Sequence, residues 1–443
     1  MPHPAMAWLL LLACAMAVPA AAQRASPSRS VADTVALTLA DVQRLSLARN
    51  PASLAEREDI AIASAGLRRA RTIPFNPDVS MQSTGGGGTT EAVATQEVEV
   101  LGQRGLRVNA ARIGVGRATA LVSNAGRLVV AEASIVFART VAAERRVTVT
   151  REGLELVERL VGAVRIQLRE GEISALEANL AELELGRARA RVLAGQRIAS
   201  SLLLDLKRLV GLSPDVPARL VPDFITATPT SAGFPRALLD DTLSNAADSL
   251  MVMALRSRPD LAASTSAVRE FDALAALARR EALPNIRVGA VVERSSGTQR
   301  LGPVIGVSIP LFNRNQGLID EREAQRRQAT LRQNATDLRV RTDVITAVRA
   351  YRTASDEATV FEQSVRQPSR ENAALLELAY RAGKIPLPTL LLLRNQLLDG
   401  ELGYWDAWLA RQEALVQLQA ATGTLPTFDI DSSRTGTSGG NPR

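Results

Sequence analysis

The sequence predicts a mainly α-helical protein with a small β part able to enter a membrane, written as two similar halves. Three observations predict it. Three landmarks recur in order at a near-constant offset: Pro51 and Pro259 stand 208 residues apart, Gly171 and Gly383 stand 212 apart, and so do Gly211 and Gly423. Such spacing marks an internal duplication. Helical stretches are unusually long, with neither Gly nor Pro from Leu318 to Val365. Each half also holds two short segments of apolar–polar alternation, the period of a half-buried strand.

Composition agrees with this. Of the 443 residues, 46% are hydrophobic and only 3% aromatic. A large compact core usually relies on aromatic bulk, so Ala and Leu must do the packing here, which suits long helices in close contact. The net charge of +7 comes from 53 basic and 46 acidic residues. Both signs are interspersed and no basic run exists, which argues against nucleic-acid binding.

Residues 1–22 read as a secretory signal. Trp8 to Ala17 is an apolar run too short to span a bilayer, and Ala20-Ala21-Ala22 supplies a cleavage pattern before Gln23. The absence of Lys and Arg from residues 2–7 departs from the usual signal. Leu11-Leu12-Ala13-Cys14 loosely resembles a lipoprotein cleavage site, with Leu12 a poor fit. Cys14 and His3 are the only Cys and His. The mature chain is therefore expected to lack disulfides, thiol chemistry and imidazole ligands. No Ser/His/Asp or Cys/His set can be assembled, so neither an enzyme nor a cofactor or metal site is expected. Met251 and Met253 alone make a poor soft-metal site and read as helix packing. Gly114-Val115-Gly116 lacks the third Gly and the preceding strand of a dinucleotide loop. No later run of about 20 apolar residues stands out, so a membrane role falls to the strands.

The first half, residues 23–211, opens with a helix that Thr38 caps, with Asp41 three residues on. That helix is expected to end near Arg71, before Pro74 and Pro77. Asp78 to Ser83 alternates, with Val79 and Met81 on one face. Gly85 to Gly88 reads as a flexible loop, and Gln96 to Val100 alternates again. A very long helix follows, with a seam at Leu154, Val157, Val161 and Val164. After Gly171 a second helix carries Leu176, Leu180 and Leu183. Residues 212–240, with Pro214, Pro217, Pro222, Pro229 and Pro235, form a connector.

The second half, residues 241–424, repeats the order. Pro284 opens a strand at Asn285 to Glu293, with Ile286, Val288, Ala290 and Val292 on one face. Ser295 to Gly302 reads as a loop. Val304 to Leu311 puts Ile305, Val307, Ile309 and Leu311 on one side. The helix from Leu318 is roughly 70 Å long at 1.5 Å per residue. It carries two stripes, one marked by Leu331, Ala335, Leu338 and Ile345, the other by Val344, Val348, Tyr351 and Ala358. Beyond Gly383, Leu391, Leu398 and Trp405 fall at heptad spacing, broadened by Leu402 and Leu409. Residues 425–443 are polar and read as a disordered tail.

The strands have the length and period of outer-membrane barrel strands. Four strands cannot enclose a lumen, and lipid tolerates no open sheet edge. Several chains must then share one barrel, and three copies would supply about twelve strands, within the range such barrels use.

Helix, strand pair and helical hairpin, repeated behind a signal segment, resemble the TolC-type outer-membrane efflux proteins over residues 38–424. The sharpest element runs from Gly306 to Gly317, through Pro310, Leu311, Phe312, Asn313, Arg314, Asn315 and Gln316. It is similar to the strand-to-helix junction of the heavy-metal branch, the cobalt–zinc–cadmium and copper–silver exporters. Gln96 to Arg107 is its first-half counterpart, with Leu101 where a second Gly is common.

The resemblance implies a homotrimer: a trimeric α-helical barrel in the periplasm, a shared 12-stranded transmembrane β-barrel in the outer membrane, and an equatorial collar. Its implied partners are outer-membrane lipid, a periplasmic adaptor and an inner-membrane pump of the RND type. Its implied role is passive export of cargo, heavy-metal cations foremost.

Candidate functional residues follow. Gly171, Glu172, Ile173 and Ser174, with Gly383, Lys384, Ile385 and Pro386, are the hairpin tips; turn formation alone accounts for their Gly, and the resemblance adds adaptor docking. The Asp ring that some relatives carry after the second tip is absent, since Leu387 to Leu392 hold no acid. Glu177, Glu182, Glu184 and Arg394 near the tips read as solvated coiled-coil faces. Glu97, Glu99, Arg287 and Glu293 fall on polar strand faces and read as lumen residues, their mixed signs arguing against strong charge selectivity. Phe75 and Phe312 read as interfacial aromatics or as ordinary packing. Two rival functions remain: the same duct exporting organic solutes, drugs or peptides, and a periplasmic adaptor or structural coiled coil. An adaptor would carry a single hairpin between β-domains.

Overall fold

The computed structural model describes residues 34–84, 89–222, 243–295 and 297–428. The expected signal segment with His3 and Cys14, the loop at 85–88, most of the connector and nearly all of the tail lie outside the described residues.

The chain is mostly helical. Short strand β1 (Val35–Leu37) leads into α1 (Leu39–Arg49) and α2 (Pro51–Arg71). Strands β2 (Asp78–Ser83) and β3 (Thr90–Val98) precede α3 (Gln103–Arg169), and α4 (Ala175–Leu209) runs back from it. Strand β4 (Ala218–Leu220) pairs in parallel with β1. The second half holds α5 (Leu243–Ser257), α6 (Pro259–Glu281), β5 (Ile286–Ser295) and β6 (Thr298–Val307). Then α7 (Gln316–Val360) passes through a π-helical segment, Phe361–Arg366, into α8 (Gln367–Arg381), and α9 (Leu387–Thr422) returns. At 1.5 Å per residue, the 67 residues of α3 span about 100 Å.

The local reasons are plain. Thr38 Oγ1 accepts the Asp41 N–H at 3.1 Å while the Asp41 carboxylate takes the Thr38 N–H, the capping box that the sequence predicts. The expected single helix to Arg71 is two, because Asn50 leaves helical φ/ψ ahead of Pro51 and its side chain caps the Ala52 N–H at 2.9 Å. The strands also differ from expectation. Strand β3 begins at Thr90, and the supposed loop at 295–302 is a tight hairpin in which Ser295 pairs with Thr298 and Gly297 takes φ 86°. Residues 308–311 lie beyond the strand.

The helices lie in two tiers. Near the strands the neighbour order is α2–α3–α6–α7; toward the tips it is α4–α3–α9 and then α7 with its continuation. The four-stranded sheet has the order β2–β3–β5–β6, antiparallel throughout. Among the described residues each layer is an open row, with β2 and β6, α2 and α7, and α4 and α8 as its outer members.

Those outer helices carry several of the most exposed apolar residues. On α7, Val344, Val348, Tyr351 and Ala358 are buried, but Leu331 and Leu338 are 70% and 66% exposed. On α4 the expected Leu seam is reversed. Leu176 and Leu183 are exposed, and Ala178, Ala181, Leu185 and Ala188 face the core. Small residues let α4 approach α3 closely; the leucines at i, i+7 spacing form a second stripe left exposed among the described residues. One 18-residue window of α3 has a mean hydropathy of 1.4, apolar enough to cross a membrane by composition, a feature the sequence reading overlooked. Its helix instead packs between neighbours along both tiers.

The scarce aromatics gather at mid-height. Phe137, Trp405 and Trp408 join Leu37, Val42, Leu206 and Leu220 in one buried cluster, with the two indoles edge to face at 5.7 Å. The landmark glycines end helices here and at the tips. At each of Gly171, Gly211, Gly383 and Gly423 φ is positive, and the next residue's N–H bonds back across the last turn, the Schellman geometry. A Cβ on Gly211 would run into the Arg49 carbonyl, and one on Gly423 would lie 2.8 Å from Ser257 Oγ. The recurring Pro and Gly landmarks are therefore two faces of one joint, a proline-opened helix seated on a glycine-closed one. Beside the second joint Arg258, almost wholly buried, holds Asp260 at 2.6 Å and Asp343 at 2.9 Å.

Two predictions follow from the joints. Gly211→Ala meets both a forbidden φ and backbone overlap and should cost about 3 kcal/mol or more, against about 1 kcal/mol for Gly171→Ala, whose Cβ would meet nothing; thermal melting of the purified variants reads the difference. Burial pushes the Asp260 carboxyl up, but the Arg258 hydrogen bonds and charge outweigh it and hold the group below its usual 3.8. Its contribution is thus present above pH 3.8 and lost as pH falls through the depressed value. Asp260→Asn should cost about 3 kcal/mol at pH 7 and progressively less below pH 3.8, measured as melting temperature against pH.

Candidate functional site: strand faces, junction and hairpin tips

Register sorts the sheet into two faces. One face carries the rows Val98, Ile286, Val307; Gln96, Val288, Ile305; Val79, Ala94, Ala290, Pro303; and Met81, Ala92, Val292, Leu301. This face is apolar and open, with Val79, Met81, Leu301 and Ile305 all about three-quarters exposed. The other face carries Glu97, Arg287, Gly306; Asp78, Thr95, Gly289, Val304; Ser80, Val93, Val291, Gly302; and Gln82, Glu91, Glu293, Arg300. All three strand glycines lie on this polar face. A Cβ on Gly289 would run into the Ala94 carbonyl, so glycine there permits a sharp bend toward that side.

Among the expected lumen residues, Glu97, Arg287 and Glu293 share the polar face, and Glu97 stands directly opposite Arg287. Glu99 does not join them. It lies past the end of β3 and makes two hydrogen bonds with Arg107 of α3, at 2.5 and 2.9 Å. That pair tightens the strand-to-helix junction, as does Asn285, which donates to Glu97 at 2.8 Å and accepts from Gln103 at 3.1 Å.

The two junctions share one device. Gly102 and Asn315 have φ 83° and 61°, and each precedes the first residue of a long helix. The Gln that follows, Gln103 or Gln316, accepts through Oε1 the N–H of the residue two before it, at 3.0 and 2.7 Å. The Leu101 departure is therefore harmless, because the left-handed position falls on Gly102. Phe312 is 93% exposed and stands beside exposed Ile309 and Leu311. Phe75 is half-buried, and its carbonyl accepts from Gln96 at 2.9 Å. The two phenylalanines occupy different environments, and the aliphatic members of this belt went unrecognised because they read as strand.

At the tips, Gly171, Glu172, Ser174, Gly383, Lys384 and Pro386 are exposed, and Ile173 and Ile385 turn inward. Both isoleucines pack on one cluster with Val157, Val161, Leu185 and Leu390, so the two hairpins meet at their ends. Ser174 caps α4 with Glu177 in a second capping box. Glu182 bridges its own hairpin to Arg165 at 2.6 Å. Glu184 is not solvated as expected. It is 4% exposed and bonds Arg191 at 3.2 Å. Arg191 reaches Asn395 on α9 at 3.2 Å, and Arg394 donates to the Gly153 carbonyl of α3. Burial pushes the Arg394 guanidinium down, opposed by the nearby Glu184 charge. These contacts tie the second hairpin to the first.

Residues 250–424 match the outer membrane efflux protein family. The nickel-cobalt-cadmium resistance protein NccC of Alcaligenes xylosoxydans xylosoxydans is 27% identical over 394 residues, 86% of this chain and 85% of that protein. In fold, the chain resembles CusC, with a TM-score of 0.70, 17% identity, and 87% and 92% of the two chains covered. It likewise resembles VceC of Vibrio cholerae, with a TM-score of 0.71, 17% identity, and 87% and 96% covered. The fold is that of solved outer-membrane channels, and the family that residues 250–424 match is one of outer membrane proteins.

The match to an outer membrane family gives the two sheet faces a test. Val291 and Val292 are neighbours on β5 with opposite outlooks. Val292→Arg puts a charge on the apolar face, at a cost of about 2–4 kcal/mol near mid-membrane, and should abolish outer-membrane assembly. Val291→Arg should assemble normally, as judged by outer-membrane fractionation.

Proposed function

We propose that three copies of this chain form the outer-membrane exit duct of a tripartite efflux system that carries heavy-metal cations from an inner-membrane RND-type pump and a periplasmic adaptor to the outside. The observation that carries this reading is the open row at every level. Strands β2 and β6 each leave one edge unpaired, and lipid tolerates no such edge. The strands alternate in direction, so the last strand of one copy meets the first of the next antiparallel without inversion. Twelve strands then close around the polar face. The exposed leucines of α2, α4, α7 and α8 seal the same subunit boundaries in the helical barrel.

In this arrangement residues 1–22 are the signal, 23–211 and 241–424 are duplicated halves, 212–240 belong to an equatorial collar, and 425–443 are a tail. Glu97, Arg287 and Glu293 line the lumen. Ile309, Leu311 and Phe312, with Phe75 behind them, lie at the membrane's periplasmic border. The tips Gly171–Ser174 and Gly383–Pro386 form the periplasmic mouth and take the adaptor. Mouth opening shifts a balance between closed and spread tips that adaptor binding biases. The likeness to a nickel-cobalt-cadmium resistance protein over most of the chain supports metal cations as cargo.

Two measurements test this. Deleting the gene should sensitise cells to nickel, cobalt or cadmium salts and leave dye tolerance unchanged; the reverse pattern would point to organic cargo. Gly171→Val or Gly383→Val places a β-branched residue at φ 74° or 65°, a conformation it strongly disfavours. Such variants should lose export while cross-linked trimers persist, and normal export would refute the docking role.

A further inference from the structure

The polar strand face is not electrically balanced. Of the seven charged residues in the four strands, Asp78, Glu91, Glu97, Glu293, Arg287 and Arg300 share that face, and Arg294 alone lies on the apolar one. Four carboxylates against two guanidiniums leave a net −2 per chain, in a chain whose total is +7. Register splits the imbalance into −1 at the outermost level of Glu91, Glu293 and Arg300 and −1 at Asp78, which stands opposite Thr95 toward the junction. At the junction end Glu97 stands opposite Arg287 and is bonded to Asn285, so that level is neutral.

At the hairpin end Glu91 stands directly opposite Glu293, with Arg300 on the far side of Glu293 and Gln82 on the far side of Glu91. Directly opposed residues lie about 5 Å apart at Cβ, where like charges destabilise a sheet. Neither carboxylate makes an ion pair or hydrogen bond with the described residues. The fold therefore carries a like-charge pair that only Arg300, opposite Glu293, offsets, at the end of the strands farthest from the helices.

We infer that this outer tier makes the exit selective for cations, with Glu91 and Glu293 as the residues that set the preference. The inference rests on the duct reading above, since it needs three copies closed around the polar face. Closure would bring six such carboxylates and three Arg300 side chains to one level of a narrow aqueous bore. Low-dielectric walls focus the field of such a ring and raise the local concentration of oppositely charged solutes. The mixed signs legible in the sequence gave no hint of this, because only register separates the neutral level from the acidic one and sends Arg294 outward.

The test is charge-dependent labelling from outside intact cells. Val93→Cys puts a thiol on the polar face one level inside the tier, and the unaltered chain, with Cys14 alone, is the control. A cationic methanethiosulfonate should react faster than an anionic one by a factor on the order of ten. In a Glu91→Gln, Glu293→Gln background the ratio should fall several-fold toward one. Glu91→Gln alone, which leaves Glu293 beside Arg300, should lower it partway and keeps the test decisive if the double variant fails to assemble. A ratio unmoved by these substitutions overturns the inference and leaves the duct intact. A Val93→Cys chain inert to both reagents, with Val292→Cys reactive, overturns the duct reading itself.

Discussion

Everything in this molecule is arranged around backbone edges that one chain cannot satisfy. A four-stranded sheet leaves a row of N–H and C=O groups along β2 and along β6. In water such groups find partners; in hydrocarbon each costs several kcal/mol. The unfinished edge of the sheet is repeated below it, where α2, α4, α7 and α8 end their rows with leucines facing outward. Even strand number matters here. With four alternating strands the two free edges run in opposite directions, so in the proposed duct identical copies join in the ladder pattern already used inside each copy. An odd number would require a parallel seam.

How much of this the sequence discloses depends on which partner a residue serves. The Pro and Gly landmarks were legible because they act locally, through φ restriction at Pro51 and Pro259 and positive φ at Gly211 and Gly423. Their offset exposed the two halves before any contact was known. The α4 stripes were misread for a different reason. Leu176, Leu180 and Leu183 are the more hydrophobic set, yet the chain buries Ala178 and Ala181, because close approach to α3 selects for size. Hydropathy identifies an apolar stripe without identifying its partner. The β5–β6 hairpin was missed because Thr298, Gln299 and Arg300 are polar on both faces. At the outer end of the strands neither face needs to be apolar, so alternation fades while the ladder continues. Glu99 kept the parity of a lumen residue, but β3 had already ended.

The two hairpins differ in a way that the repeat conceals. Helix α3 runs unbroken to its tip, whereas its counterpart changes to a π-helical segment at Phe361–Arg366 and then passes Pro368. The glycines of α9 accommodate that segment. A Cβ on Gly403 would lie 2.7 Å from the Phe361 ring, and one on Gly400 would lie 3.0 Å from Val365. Arg366 stacks 3.9 Å over Tyr404, beside Glu401 at 3.5 Å. Below it α8 buries only Ser369, and a cleft of about 400 Å³ separates it from α3. The second hairpin is therefore the more loosely held of the two. Gly400 and Gly403, three residues apart within a helix, were the available sequence signal, since glycine inside a helix is costly unless something must fit against it.

Among the described residues no group of three or more His, Cys, Asp or Glu could hold a metal ion. A metal-binding site and a conduit make opposite demands. A site with a Kd of about 1 nM, filled at about 10⁸ per molar per second, would release roughly one ion in ten seconds. Tight ligation and fast passage exclude each other. A field spread over opposed strand carboxylates attracts ions from a distance without fixing any of them, because each charge remains hydrated and no coordination shell is completed. A passive conduit for cations is thus better served by charge placed through strand register than by ligands gathered into a site, and the acidic residues of this sheet are distributed in that way.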